Sequence, residues 1–231
     1  MKKYVKLIAI IICISLILVG LTACTTNASY FTFEPNTDET GYIITGVAKI
    51  LPDKVVLPNK YQGKPVTKAT VESKSVKELT IPNNIEKIRL NCNSLKTLNL
   101  AKDSEHFTIK DEVLYTYDLT RIVFVLPTKK DHFIIPRTII AAEQWAFSCA
   151  NIKVIYVPVE YLECYLIGVR SNEFDILLWN DKDYESEFSP FVLYNQEIII
   201  NFEANINEQY KAFADKLYND KTVHWNVAMP L

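Results

Sequence analysis

The chain has 231 residues and a formal net charge of −2, and its 49% hydrophobic and 23% charged content is that of an ordinary globular protein rather than a disordered one. The first 23 residues carry three lysines and no acid, so the remainder nets −5 and has no basic surplus to hold a phosphate backbone; nucleic acid is not an expected partner. Beyond them the only glycines are Gly41, Gly46, Gly63 and Gly168, too scattered for a G-x-x-x-x-G-K or G-x-G-x-x-G phosphate loop.

Lys2, Lys3 and Lys6 open the chain, an apolar run follows from Leu7 to Val19, and Gly20-Leu21-Thr22-Ala23-Cys24 ends it. A cationic start, a short apolar core and a small-residue exit are the three parts of a secretory signal, expected over residues 1–23. The run is shorter than the ~20 residues a helix needs to cross a bilayer, which disfavours an uncleaved anchor. Leu21-Thr22-Ala23-Cys24 resembles the bacterial lipobox. That resemblance implies cleavage before Cys24, a diacylglycerol on its thiol and a lipid-anchored protein on the outward side of the cell membrane. One acyl chain is a marginal anchor, whereas two or three hold firmly. Residues 24–39 then read as the lipidated N-terminus and a short polar tether, with Tyr30, Phe31 and Phe33 leading into the first strand.

One element recurs beyond residue 40: apolar, two residues, apolar, one residue, apolar. It occurs as Val76-x-x-Leu79-x-Ile81, Leu95-x-x-Leu98-x-Leu100 and Ile152-x-x-Ile155-x-Val157. The last two apolar residues of each share one face of a short strand. Pro82 and Pro158 follow directly, and Val55-Val56-Leu57-Pro58 and Phe133-Ile134-Ile135-Pro136 end in the same way. Proline cannot donate to a ladder, so it marks a strand end. The proline spacings are 24, 54 and 22; the middle one equals two repeats, or one repeat plus an insertion. Cys92 and Cys149 occupy the same phase of two repeats, buried and non-catalytic. If those repeats adjoin, a disulfide is geometrically open, although each thiol also suits its own turn unpaired, which is the favoured reading.

Trp145-Ala146-Phe147-Ser148-Cys149 and Asn91-Cys92-x-Ser94-Leu95 resemble the leucine-rich repeats of BspA-like bacterial surface proteins. Tyr42-Ile43-Ile44-Thr45-Gly46 with Tyr61-Gln62-Gly63-Lys64-Pro65-Val66 is similar to the opening segment of that family, and Phe107 to Pro127 to the hairpin often inserted in it. The chain departs from the pattern at Ala141-Ala142, where Ile-Gly is usual, and at Glu112, where Gly is usual. The expected fold is a β-rich leucine-rich-repeat solenoid with short strands and few helices over residues 40–178, carrying a hairpin near 107–127. No single repeat buries its apolar face, so stacking builds the core and the ends need caps, here Tyr42 to Gly63 and a helical turn at Glu160 to Tyr165.

Residues 179–231 break the pattern. From position 180 they hold nine acids and four lysines, so the whole acidic surplus lies here. Residues 196–202 and 222–227 read as strands, and Ile206, Tyr210, Phe213, Ala214 and Leu217 fall at helical spacing behind a capping Asn205. A small α+β strand–helix–strand unit packed on the end of the solenoid is expected.

Catalytic chemistry finds no foothold. His106, His132 and His224 lie far apart with no metal-ligand partner at usable spacing, and Cys164 beside Glu163 has no histidine near in sequence to activate it. No enzyme, cofactor or metal is expected. Strand alternation instead points to a face. With Leu57, Ile81, Leu100, Ile135 and Val157 inward, one outward column reads Val56, Thr80, Asn99, Ile134 and Tyr156, and a parallel one Lys54, Glu78, Thr97, His132 and Val154. Val56, Ile134, Val154 and Tyr156 are apolar where solvent favours charge, unless loops or the C-terminal unit cover them. The expected function is an extracytoplasmic interaction module for an unknown protein or glycan partner, with Tyr156 as anchor. The alternative is a structural envelope lipoprotein without a dedicated ligand. Solute capture for a transporter is weaker still, since no second lobe is present.

Overall fold

The computed structural model describes residues 25–143, 145–157, 199–202 and 222–224. The expected signal over 1–23, Cys24, Cys164, the turn after Pro158 and the helix near 205–219 lie outside the described residues.

Alternate strands belong to two walls of a coil. The recurring elements form one wall. Strands β3 (Lys54–Val56), β6 (Glu78–Ile81) and β8 (Thr97–Leu100) pair in parallel, with Val55 opposite Leu79 and Leu79 opposite Leu98. These three form the first ladder. A second parallel ladder contains β12 (Lys130–Ile134), β14 (Asn151–Val157), β15 (Ile199–Phe202) and β16 (Thr222–His224). The other wall runs through β1 (Phe31–Pro35), antiparallel to β2 (Tyr42–Val47), then β5 (Lys64–Glu72) and β7 (Lys87–Asn91) in parallel. A two-residue strand β4 (Lys60–Tyr61) folds back on β5. The coil is a β-solenoid, as expected.

Its interior is the leucine-rich register itself. Val76, Leu79, Ile81, Leu95, Ile152 and Ile155 are all buried, and Phe124 and Phe147 are the bulkiest fully buried side chains enclosed with them. Ile152 and Ile155 lie three apart on one strand, which alternation alone would send to opposite faces. Both point inward because the register with β12 shifts at Asp131/His132, leaving Lys153 as an unpaired bulge. Leu57 N–H donates to Thr80 O at 3.1 Å and Ile135 N–H to Tyr156 O at 3.0 Å, and in each case proline is the next residue and ends the ladder.

Two expectations are corrected. The insertion is more than a hairpin: β9 (Phe107–Lys110), β10 (Val113–Thr116) and β11 (Arg121–Val125) form an antiparallel meander, and β11 pairs in parallel with β13 (Ala141–Ala142) as part of the second wall. The spacing of 54 between Pro82 and Pro136 therefore holds the Leu95 repeat and the meander. Of the expected lipidated tether over 24–39, the described residues 25–39 are folded rather than free. Thr26 is hydrogen-bonded to β3, Ala28–Tyr30 form a 3₁₀ turn, and Phe31 on β1 is buried in the core, so apolar burial overrides the polar start of the segment. The expected boundary at 178/179 lies outside the described residues, and the described strands of the C-terminal unit, β15 and β16, extend the second ladder, with Val154 opposite Ile199 and Ile199 opposite Thr222. The open parallel edge of β14 needs partners for its N–H and C=O groups, and an Ile-rich segment supplies them.

Candidate functional site

The register brings the expected columns together in two groups. In the first ladder Val56, Thr80 and Asn99 are successive neighbours, and so are Lys54, Glu78 and Thr97. In the second, Ile134 pairs with Tyr156 and Tyr156 with Asn201, while His132 pairs with Val154 and Val154 with Ile199. The columns are thus adjacent within each ladder, and the two ladders are separate sheets. Val56, Thr80, Asn99, Ile134, Val154 and Tyr156 are all half-buried, and Lys54, Thr97 and His132 are exposed. Neither of the two extremes, an open column or a fully covered one, describes them. Side chains standing 4.7–4.9 Å apart on neighbouring strands shade one another. Of the expected inward set, Leu57, Ile81 and Ile135 are buried, whereas Leu100, on the last strand of its ladder, is only half-buried.

The two groups differ in chemistry. The first is laced with polar contacts: the Lys54 ammonium lies 2.9 Å from a Glu78 carboxylate oxygen, and Asn99 Nδ2 donates to Glu78 Oε1 at 3.3 Å. The hydrogen bond to Glu78, and then its charge, hold the Lys54 amine above its ordinary pKa. The second group is apolar and aromatic, with the His132 and Tyr156 rings edge to face at 6.4 Å and Ile134 beside Tyr156. An edge-to-face pair restricts both rings, so Tyr156 presents a rigid apolar surface with a polar tip.

The cysteines lie elsewhere. Cys92 and Cys149 are both buried free thiols. Cys149 Sγ–H has Asn93 Oδ1 at 2.8 Å and Asn91 Oδ1 at 3.4 Å, and Cys92 Sγ–H donates to Val71 O at 3.6 Å. Burial pushes the Cys92 thiol up to about 12, with the neighbouring Cys149 adding to the rise, and burial likewise raises Cys149. A thiol held protonated is a poor nucleophile. Residue patterning placed the two cysteines in one phase but missed Asn91 and Asn93 as acceptors; the Asn-Cys-Asn run was the available signal. It also missed Glu78 as the hub of the first group.

No family model matches the chain and no curated protein matches it. Among solved structures it is similar to a leucine-rich repeat protein of T. pallidum, at 16% identity and a TM-score of 0.39, over 58% of this chain and 71% of that one. It is also similar to the pneumococcal vaccine antigen PcpA, at 15% identity and a TM-score of 0.32, over 45% of this chain and 33% of that one. The assignment as a solenoid rests on the ladder registers of the chain itself.

Proposed function

We propose that this chain is a lipid-anchored, extracytoplasmic bacterial protein whose leucine-rich-repeat solenoid, of the BspA-like kind, binds a protein or glycan outside the cell. The observation that carries the binding role is the pairing of Ile134 with Tyr156 beside Val154 on an outward sheet face, half-exposed and braced by His132. Buried aromatic anchors flanked by apolar neighbours dominate binding energy at interfaces. The lipobox-like Leu21-Thr22-Ala23-Cys24 supports the anchor, and the absence of an activated nucleophile among the described cysteines favours binding over catalysis.

The test is the double variant Tyr156→Ala with Ile134→Ser on the full chain, folded by circular dichroism, in capture from intact cells and on glycan arrays. Lost capture with retained fold supports the site. Wild-type protein that captures nothing specific favours the structural envelope role. Mass spectrometry of the wild type should find Cys24 at the amino terminus and lipidated; an unmodified Cys24 inside an intact chain ends the lipoprotein reading.

A further inference from the structure

Ile50 is 87% exposed, more than any other large apolar residue on the described surface, and Leu51 beside it is 2% exposed. It sits on the loop between β2 and β3, in the first turn of the coil. Lys49, its neighbour, reaches Ser29 Oγ at 3.3 Å and lies 5.9 Å over the Tyr30 ring. Ala48 N–H donates to Tyr30 O at 2.8 Å, so this loop is fastened to the chain segment that precedes β1.

That segment is itself fixed. Thr26 N–H donates to Val56 O at 3.0 Å and Val56 N–H to Thr26 Oγ1 at 3.0 Å, closing the open edge of β3. Thr25 alone separates this clasp from Cys24. Two residues span at most ~7 Å, about the depth of one headgroup layer, since headgroups add roughly 5–8 Å on each side of a ~30 Å hydrocarbon core. A lipid on Cys24 would leave no slack for the solenoid to stand clear of the bilayer.

We propose that the first turn of the solenoid is a bilayer-contact surface, on which Ile50 enters the membrane interface beside the lipid of Cys24, with Lys49 and Tyr30 at headgroup level. This rests on the lipid-anchor reading above. The chemistry fits the occupant. A lone aliphatic side chain contributes too little to bind a membrane by itself, but beside an acyl anchor it sets orientation. Lysine and tyrosine are suited to the interface, the one extending its ammonium to the headgroups and the other lying with its ring below and its hydroxyl above. The coil axis then points away from the membrane, and the second ladder is carried outward.

The experiment uses the full-length lipidated protein in vesicles of phosphatidylcholine and phosphatidylglycerol, with or without bromine on the acyl chains. Ile50→Trp and, at the 65% exposed Tyr117 in the turn between β10 and β11, Tyr117→Trp each add one emitter to the wild-type background. Bromine quenching of the emission added at position 50, with that at 117 unchanged, is the expected result. A Gly-Ser spacer of about 20 residues between Thr25 and Thr26, with a mean reach of roughly 25 Å, should abolish that quenching. Lipid-confirmed Ile50→Trp protein whose added emission is not quenched overturns the surface and leaves the anchor standing. Equal quenching at both positions, or quenching that survives the spacer, also overturns it. Protein without lipid on Cys24 overturns both readings together.

Discussion

In the first ladder the outward position next to buried Leu79 holds Thr80, flanked by a Lys54–Glu78–Asn99 network; in the second the outward position next to buried Ile155 holds Tyr156, flanked by Ile134 and His132. Behind both faces the interior is alike, since Leu79 and Ile155 are equally buried at equivalent rungs. Inward residues answer to packing, which every turn of a solenoid must satisfy in the same way. Outward residues answer to whatever meets them. The difference between the ladders is therefore where function is written, while their likeness is where the fold is written.

That comparison is broken most severely from inside. Leu79→Ala should cost about 3 kcal/mol and Ile155→Ala a similar amount, by lost transfer energy and the cavity left behind. Urea unfolding followed by circular dichroism reads both. If the interior is one cooperative core, each variant shifts a single transition; if the ladders are independent, each splits it into two steps.

The junction between the halves gives the next effect. Cys149, from the turn before β14, is held by Asn91 and Asn93, which flank Cys92. Burial raises Cys92 from 9.0 to about 12, so the folded state keeps a proton that the unfolded state releases. Its contribution is fully present below pH 9 and is lost as the pH rises from about 9 towards about 12, at up to roughly 1.4 kcal/mol per pH unit. Burial raises Tyr115 to about 12 as well, so the wild type should lose stability steeply above pH 10. Cys92→Ala should flatten the part of that slope beginning near pH 9 and leave the Tyr115 part. An unchanged slope would mean that the thiol is open to water.

Outside the core the contrast should invert. The Tyr156→Ala, Ile134→Ser pair should cost at least about 2 kcal/mol of partner affinity if Tyr156 is a true anchor, roughly a 30-fold rise in Kd. Lys54→Ala should leave both capture and the urea midpoint unchanged, because an exposed ion pair is screened and entropically costly to hold. If Lys54→Ala abolishes capture, the charged ladder is the binding face and the assignment reverses.

Much of this was legible in the residues, for a physical reason. The repeated apolar spacing and terminal prolines specify burial and ladder ends, and both are local properties. The columns followed because alternation on a strand is fixed. What escaped was non-local. Nothing in Thr25 to Ser29 announces that Thr26 closes the edge of β3, since its partners are the backbone N–H and carbonyl of Val56, 30 residues away. Residues 196–202 read as a strand, but nothing local shows that Ile199 and Ile200 pair with β14 and so extend the sheet, because ladder pairing does not depend on net charge. Likewise, the spacing of the prolines could not separate a repeat from the meander.

The smallest expected effect lies in that meander, between the two ladders. Asp111 and Glu112 form the two-residue turn from β9 to β10, with φ of 48° and 63°, and a tight antiparallel hairpin of this kind requires positive φ at both positions. Asp tolerates the left-handed region because its short side chain bonds locally; Glu does not, and its Cβ crowds the following carbonyl at about 1–2 kcal/mol. Glycine removes that strain but enlarges the unfolded ensemble by about 0.5–1 kcal/mol. Glu112→Gly should therefore stabilise the protein by roughly 0.5–1 kcal/mol, which raises Tm by about 2–3 °C for a domain of this size. Asp111→Gly has less strain to relieve and should be neutral or slightly destabilising. The Glu112 carbonyl accepts from Leu126 N–H at 3.0 Å, a backbone bond that both variants keep, so any difference between them reports the side chain. Equal effects at the two positions would show that the turn relaxes in solution.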